Sequence, residues 1–302
     1  MRLPTRSFEQ LLAEAEQQPF SGWDFAYLRG RMEEGQPSWN YAALVRARLA
    51  AVPAVLDLGT GGGEVLAQLA PLPPRTVATE GYPPNVAIAR ARLAPLGVAV
   101  VPVVGAPDNR DQQPGAGAGS LPFPAASFPL VINRHESYYP AEVNRILQGG
   151  GSFITQQVGG THLQDLMSLF DVAPEREPQW NAAFAVAQLE QAGFRIVDRR
   201  EAFPETVFRD IGAVVYYLRA VPWEVPGFAV ARYRERLADL HHRIEGEGGL
   251  RIRGTSSTSK PASPRASIQH EAAVPRARGR SRFRVVLPAL DPQGWKPGGR
   301  DG

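Results

Sequence analysis

The sequence predicts an α/β domain of the doubly wound kind, built on a mostly parallel sheet and extended at both ends. Three observations predict it. Residues 54–58, apolar except for Asp57, pass directly into Gly59-Thr-Gly-Gly-Gly63 and then into a helical pattern. A second strand-like run, Arg75 to Glu80, follows after about twenty residues and ends in a carboxylate. From there to residue 158 strand-like and helix-like patterns alternate, as in parallel strands joined by crossover helices.

Taken in order, residues 7–20 read as an amphipathic helix with Phe8, Leu11, Leu12 and Ala15 on one side. Residues 20–41 are aromatic and irregular, and 41–51 are helical up to Pro53. Strands are expected near 54–59, 75–80, 98–104, 128–133 and 152–158, and helices near 63–70, 84–94 and 141–147. Gly105 to Ser120 is rich in Gly, Pro, Asp and Gln and reads as a long loop. A helix over 181–192 stops at Gly193, a strand follows over 194–203, and a helix over 210–221 ends before Pro222. A charged helix spans 228–247. Residues 254–281 have the composition of a disordered segment, and Arg282 to Leu287 alternates like a short strand. The expected division is an N-terminal helical and aromatic cap over 1–52, a ligand-binding domain over 53–250, and a basic tail over 251–302.

The glycine turn carries the most chemistry. Glycines reach positive φ and lack Cβ atoms, so backbone can press against a ligand. A following helix aims its free N–H groups at the same place. A dinucleotide fingerprint requires Gly or Ala at the sixth position from Gly59, but Glu64 stands there. A carboxylate at a helix start opposes a pyrophosphate. It does not oppose a phosphate-free cofactor bearing a sulfonium and an ammonium, and Asp57 adds negative charge on the same side. Glu80 stands where ribose hydroxyls would arrive, with Gly81 and Tyr82 continuing from it.

Composition bounds the rest. There are no cysteines, which excludes a disulfide scaffold, a cysteine-ligated metal and a cysteine nucleophile. No apolar run approaches a membrane span and no apolar leader precedes residue 20, so a cytoplasmic protein is the expectation. Of the 33 Lys and Arg and the 30 Asp and Glu, residues 251–302 hold 11 and 3, leaving 22 and 27 for the remainder. The folded part is therefore mildly acidic and is no evident nucleic-acid binder, while the tail is strongly basic.

Asp57-Leu-Gly-Thr-Gly-Gly-Gly63 resembles motif I of the class I S-adenosylmethionine-dependent methyltransferases (type 11-like), and Glu80 resembles their ribose-binding acid. Leu121-Pro-Phe-Pro-Ala-Ala-Ser-Phe128 is similar to the family's L-P-F-x-x-x-S-F segment, and Leu147-Gln-Gly-Gly-Gly151 to its L-K-P-G-G turn. The resemblance covers about residues 36 to 220 and implies a seven-stranded Rossmann-like sheet whose last strand is antiparallel. Either 250–253 or 282–287 would supply that strand. It implies S-adenosyl-L-methionine as cofactor, held by Asp57, Gly59, Thr60, Gly61, Gly63, Glu80, Gly81, Tyr82, Asn133 and Arg134. In this family an acidic residue of the third loop often contacts adenine, and Asp108 is the candidate.

Methyl transfer from a sulfonium is an in-line displacement, so the protein must align donor and acceptor and exclude water. His135 and Glu136, just past the fourth strand, are the expected catalytic pair: His135 as base, with Glu136 orienting it or binding a cation. Packing of His135 against the cofactor is the plainer alternative. Trp23, Tyr27, Trp39 and Tyr41 form a lid over the site or staple the N-terminal helix to the sheet. Gln156 or Gln157 faces the cleft, and Gln157 either hydrogen-bonds an acceptor or caps loop backbone. Val214 to Leu218 with Trp223 lines an acceptor pocket or fills core. His241-His242 lacks a partner at ligand spacing, so no metal is expected. The leading expectation is methyl transfer to a small-molecule acceptor. An RNA methyltransferase using the basic tail and a non-catalytic cofactor-binding protein are the alternatives, and a dinucleotide oxidoreductase comes last.

Overall fold

In a computed structural model, the residues described are 6–20, 25–110, 119–173 and 180–252, with the backbone of 282–287. At the centre lie β2 (Ala54–Leu58), β3 (Arg75–Glu80), β4 (Ala99–Pro102), β5 (Phe128–Arg134) and β6 (Leu147–Gln156). They are ordered β4-β3-β2-β5-β6, and every neighbouring pair is parallel. Beyond β6 the sheet continues through β10 (Arg282–Leu287) to β7 (Arg195–Glu201).

Helices cover both faces, and the alternation along β2 shows which residue faces which layer. Val55 packs with Tyr41, Val45 and Leu49 of α2 (Tyr41–Leu49), Leu66 of α3 (Glu64–Gln68) and Leu93 of α4 (Pro83–Leu93). Ala54, Leu56 and Leu58 pack with Val143 and Ile146 of α5 (Pro140–Ile146) and Leu189 of α7 (Ala182–Gln191). Every residue of β2 is buried, as expected for a parallel strand covered on both faces. Local chemistry starts the helices: Asn40 caps α2 through Ala43 N (2.9 Å), and Asn181 caps α7 through Phe184 N (2.9 Å). Pro83 and Pro84 open α4, where their missing N–H groups leave no bond unmade.

A second core joins the two ends of the described chain. A three-stranded antiparallel sheet, β1 (Met32–Glu34), β8 (Thr206–Phe208) and β9 (Leu250–Ile252), carries α1 (Phe8–Gln17), α8 (Ile211–Ala220) and α9 (Arg234–Glu247). Leu11, Leu12, Phe208, Val214, Leu240 and Ile252 are buried together. The N-terminal segment is thus half of a composite layer rather than a cap complete by residue 52. The β1–β8 pairing cannot be read locally, because three-residue strands carry no periodicity. A short α6 (Gln164–Ser168) docks its Leu166 into the same core.

Several boundaries differ from expectation. Residues 250–252 enter the small sheet, so they do not complete the large one. The strand at 282–287 does lie between β6 and β7, but it runs parallel to both. The intervening 253–281 is long enough for the crossover a parallel strand requires, so antiparallel entry is not forced. The segment expected as disordered, 254–281, lies outside the described residues. Leu147 to Gly151 is not a turn before a strand but the start of β6, where the register against β5 shifts between Phe128 and Leu130. The last charged helix begins at Arg234 rather than 228, after a turn in which Gly227 takes φ +71°. Among the described residues, no helix is long and apolar enough to cross a membrane.

Candidate functional site

The strand order reverses between β2 and β5, each of which leads into the same crevice at its carboxyl end. That is where ligands bind open parallel sheets. Past β2 the chain turns through Gly59 (φ +66°), Gly61 (φ +63°) and Gly63 (φ +83°), all left-handed conformations that disfavour a side chain. The turn is tied to β3: Thr60 N donates to Thr79 O (2.8 Å) and Gly59 N to Thr79 Oγ1 (3.2 Å). Gly63 caps α3, and Glu64 opens it. Glu64 is paired with Arg92, which also donates to Gly62 O, so its charge is balanced at the helix start.

Glu80 is fully buried and latches two turns. One carboxyl oxygen accepts from Gly61 N (2.8 Å) and the other from Tyr82 N (2.7 Å). Glu80 also lines the cavity. Gly81 also lines it, and a Cβ there would lie 2.7 Å from Val103 O. Tyr82 is half exposed beside it, at 48%. Asp57 is buried at the end of β2, and its charge acts on both Tyr41 and Glu136.

The segment past β5 is held by one buried network. Asn133 Nδ2 donates to Leu58 O (3.4 Å) and Glu136 O (3.0 Å), and Asn133 Oδ1 accepts from Thr155 Oγ1 (2.6 Å) and from Gln157 Nε2. Gln157 Nε2 also donates to Glu136 O (3.1 Å), and Gln157 Oε1 accepts from Asn109 Nδ2 (3.1 Å). Both ends of the Gln157 amide are therefore engaged in holding the loop. His135 takes φ +65°, and its N–H donates to Gln156 O (2.8 Å). Among the described residues, neither of its buried ring nitrogens has a hydrogen-bond partner. Burial, with Arg134 and His162 nearby, holds its pKa well below the usual histidine value, so the ring is neutral at neutral pH. Arg134 sets its charge against Tyr41 as well.

Glu136 points the other way, into the cavity. A Cβ on Gly59 would lie 2.4 Å from Glu136 Cβ and Cγ, and one on Gly105 2.2 Å from Glu136 Oε1. Two glycines thus form the slot in which this carboxyl lies. Burial and the charge of Asp57 push its pKa up to about 7. The cavity is lined by Gly59, Glu80, Gly105, Glu136, Tyr139 and Glu142 among others. Glu142 accepts from Arg145 and from Leu121 N (3.0 Å). No Lys, Arg or His lines the cavity among the described residues.

The expected aromatic lid separates into three places. Tyr41 is buried, with its hydroxyl donating to Asn133 O (3.2 Å), which brings it under the site. Trp39 is buried too, its Nε1 at 3.5 Å from Gln156 Oε1. Tyr27 lies in the second core, against Tyr216 (ring centroids 4.6 Å apart) and under Arg31 (4.0 Å). Hydrophobic neighbours from α8 decided that position, and these are invisible in the local sequence. Trp23 lies outside the described residues. Val214 to Leu218 is core of the second layer. Asp108 pairs with Arg110 (2.9 Å) and is not among the cavity-lining residues. Thr60 is buried with its hydroxyl unpartnered among the described residues. Among these residues no group of three or more His, Cys, Asp or Glu is arranged to hold a metal ion.

Sequence reasoning missed Gly105, Tyr138, Tyr139, Asn109 and His162. Gly105 was the one with a signal, since a glycine just past a parallel strand marks close backbone approach. His162, in the turn before α6, has its pKa lowered by burial to about 4.

No family model and no curated protein matches the chain. Solved structures resemble it at a distance. The YcgJ protein of Bacillus subtilis is 16% identical over 70% of this chain and 93% of its own, with a TM-score of 0.45. A SAM-dependent methyltransferase of Aquifex aeolicus is 17% identical over 57% and 89%, with a TM-score of 0.38. The [4+2]-cyclase SpnF is 17% identical over 83% and 97%, with a TM-score of 0.40. The functional reading rests on the site itself.

Proposed function

We propose that this chain is a class I methyltransferase that binds S-adenosyl-L-methionine in the crevice past β2, β3 and β5 and transfers its methyl group to a small-molecule acceptor. The observation that carries the reading is the cavity: a slot made by Gly59 and Gly105, lined by Glu80, Glu136 and Glu142, with no lining cation among the described residues. Such a site fits a cofactor that is cationic and lacks phosphate. A pyrophosphate would meet carboxylates with no basic residue among the lining, since Arg92 beside the glycine turn is engaged by Glu64 and Gly62 O.

When bound, the cofactor supplies an electrophilic methyl group on a sulfonium. The chain's own residues do the rest. The glycine turn offers backbone N–H groups and close approach, and Glu80, at the end of β3, stands where ribose hydroxyls would arrive. Gly81, Tyr82, Asn133 and Arg134 complete the binding wall in this proposal. His135 is the candidate base by its position just past β5: its ring is neutral at neutral pH and its nitrogens have no partner among the described residues, but burial opposes its protonation until an acceptor reaches it. Trp39, Tyr41 and Gln157 support the acceptor side by holding the loops that frame it.

Calorimetric titration of the full chain with S-adenosylmethionine, and with NAD as the contrast, tests this. Micromolar binding of S-adenosylmethionine (about −8 kcal/mol) and none of NAD is expected. The opposite pattern would end the proposal. Asp57→Asn should weaken binding without unfolding the protein. Glu80→Gln is the poorer probe, because it also disturbs the latch on Gly61 and Tyr82.

A further inference from the structure

We propose that Glu136 makes this site discriminate between the cationic methyl donor and its neutral demethylated product, binding the first more tightly. The inference rests on the methyltransferase reading above and deepens it. Three observations support it. The side chain is seated on the floor of the cavity, its stem against Gly59 and its carboxyl against Gly105. Its backbone is fixed, since Glu136 O accepts from both Asn133 Nδ2 (3.0 Å) and Gln157 Nε2 (3.1 Å). Among the described residues, nothing donates a hydrogen bond to its carboxyl oxygens or pairs with them, whereas Glu80 and Glu142 are both engaged.

A half-buried carboxyl aimed at a binding cavity without a partner is poised for a cation supplied by the ligand. Reduced solvent screening strengthens that attraction over its value in water. S-adenosylmethionine carries one more positive charge than S-adenosylhomocysteine, at the sulfur that loses the methyl group. An ionised Glu136 therefore favours the donor and releases the product.

The titratable groups around it come from several elements. Asp57 of β2 acts on its charge, while Glu80 of β3, Tyr138 and Tyr139 before α5, and Glu142 of α5, the last paired with Arg145, line the same cavity. Arg134 and His135 precede it, with Arg134 acting on Tyr41 and His135. Burial and Asp57 both favour the protonated form, with a pKa of about 7. A bound cation favours the ionised form, so donor binding below neutral pH expels a proton from Glu136.

The experiment is calorimetry of the full chain with S-adenosylmethionine and S-adenosylhomocysteine at pH 6, 7 and 8, for wild type and Glu136→Gln. Wild type should prefer the donor by about tenfold more at pH 8 than at pH 6. Glu136→Gln should lose about tenfold in donor affinity at pH 8 and keep its product affinity within about twofold. The donor's own amino group titrates in both proteins, so the difference between them is the reading. Parallel changes for both ligands, or none for either, overturn the inference. Gly105→Ala gives a second route if the first variant does not fold: its Cβ would displace the Glu136 carboxyl and should erase the same preference. Failure of wild type to bind either ligand would instead refute the methyltransferase reading.

Discussion

Gly59→Ala separates two physical effects that the glycine turn combines. The residue sits at φ +66°, so alanine would meet left-handed strain of about 1–2 kcal/mol. It would also place a Cβ 2.4 Å from Glu136 Cβ and Cγ, an overlap only a shift of the 133–138 loop can relieve. That loop is tied by Asn133 and Gln157, so the overlap should add about 1–3 kcal/mol. Gly97→Ala is the control: its φ is +72°, yet nothing lies within 4 Å of a Cβ there, so it should show the strain alone. Urea denaturation would give the free energies, and in a thermal melt each kcal/mol corresponds to roughly 2–4 °C. A double-mutant cycle of Gly59→Ala with Glu136→Gly should recover the excess, because the clashing side chain is gone. If Gly59→Ala proves no more destabilising than Gly97→Ala, Glu136 does not lie against the turn and the cavity described here is wrong.

Asn133→Ala leaves Glu136 O and Thr155 Oγ1 short of a buried partner and should cost about 2–3 kcal/mol in urea denaturation, with weaker cofactor binding. Asp210→Ala should cost a similar amount, about 2–4 kcal/mol, and leave cofactor affinity unchanged. It removes the two-pronged carboxylate partner of the buried Arg31 (Nη2–Oδ1 2.6 Å), leaving Glu14 (3.2 Å) to balance the charge, and uncaps α8 at Ala213 N, both remote from the cavity. Glu136 and Glu224 each have a folded pKa raised to about 7, against 4.5 in the unfolded chain. The unfolded state then binds fewer protons between those values, so both residues make stability fall as pH rises from 4.5 to 7. Glu136→Gln should shallow that slope measured at pH 5, 6 and 7, and an unchanged slope would contradict the burial of its carboxyl. His135, with its pKa held well below 6.5, should show constant ring-proton NMR shifts from pH 8 down to 6. A transition in that window would mean that water reaches the ring.

The parallel core, and the glycine turn with the carboxylate beyond it, were legible in the sequence alone. Those features are local in chain terms. The apolar run of β2, the three glycines with positive φ and the carboxylate ending β3 lie within 27 residues, 54 to 80, and each announces its own conformation. The opposite wall of the crevice emerges only from the tertiary structure. Whether Tyr27 lines a cleft or packs on Tyr216 depends on a helix almost two hundred residues away. Gln157 and Asn133 look like ligand-binding amides in one dimension, and only their mutual approach turns them into a brace. The small sheet β1-β8-β9 has no periodic signature, because its strands are three residues long and stabilised by partners distant in sequence. Glu136 shows the division most clearly. Its position after β5 is legible as a site residue, but its seat between Gly59 and Gly105, and so its raised pKa, exists only because two other strand ends converge on it. Desolvation and close approach are properties of the assembled crevice, and no pattern along the chain encodes them alone.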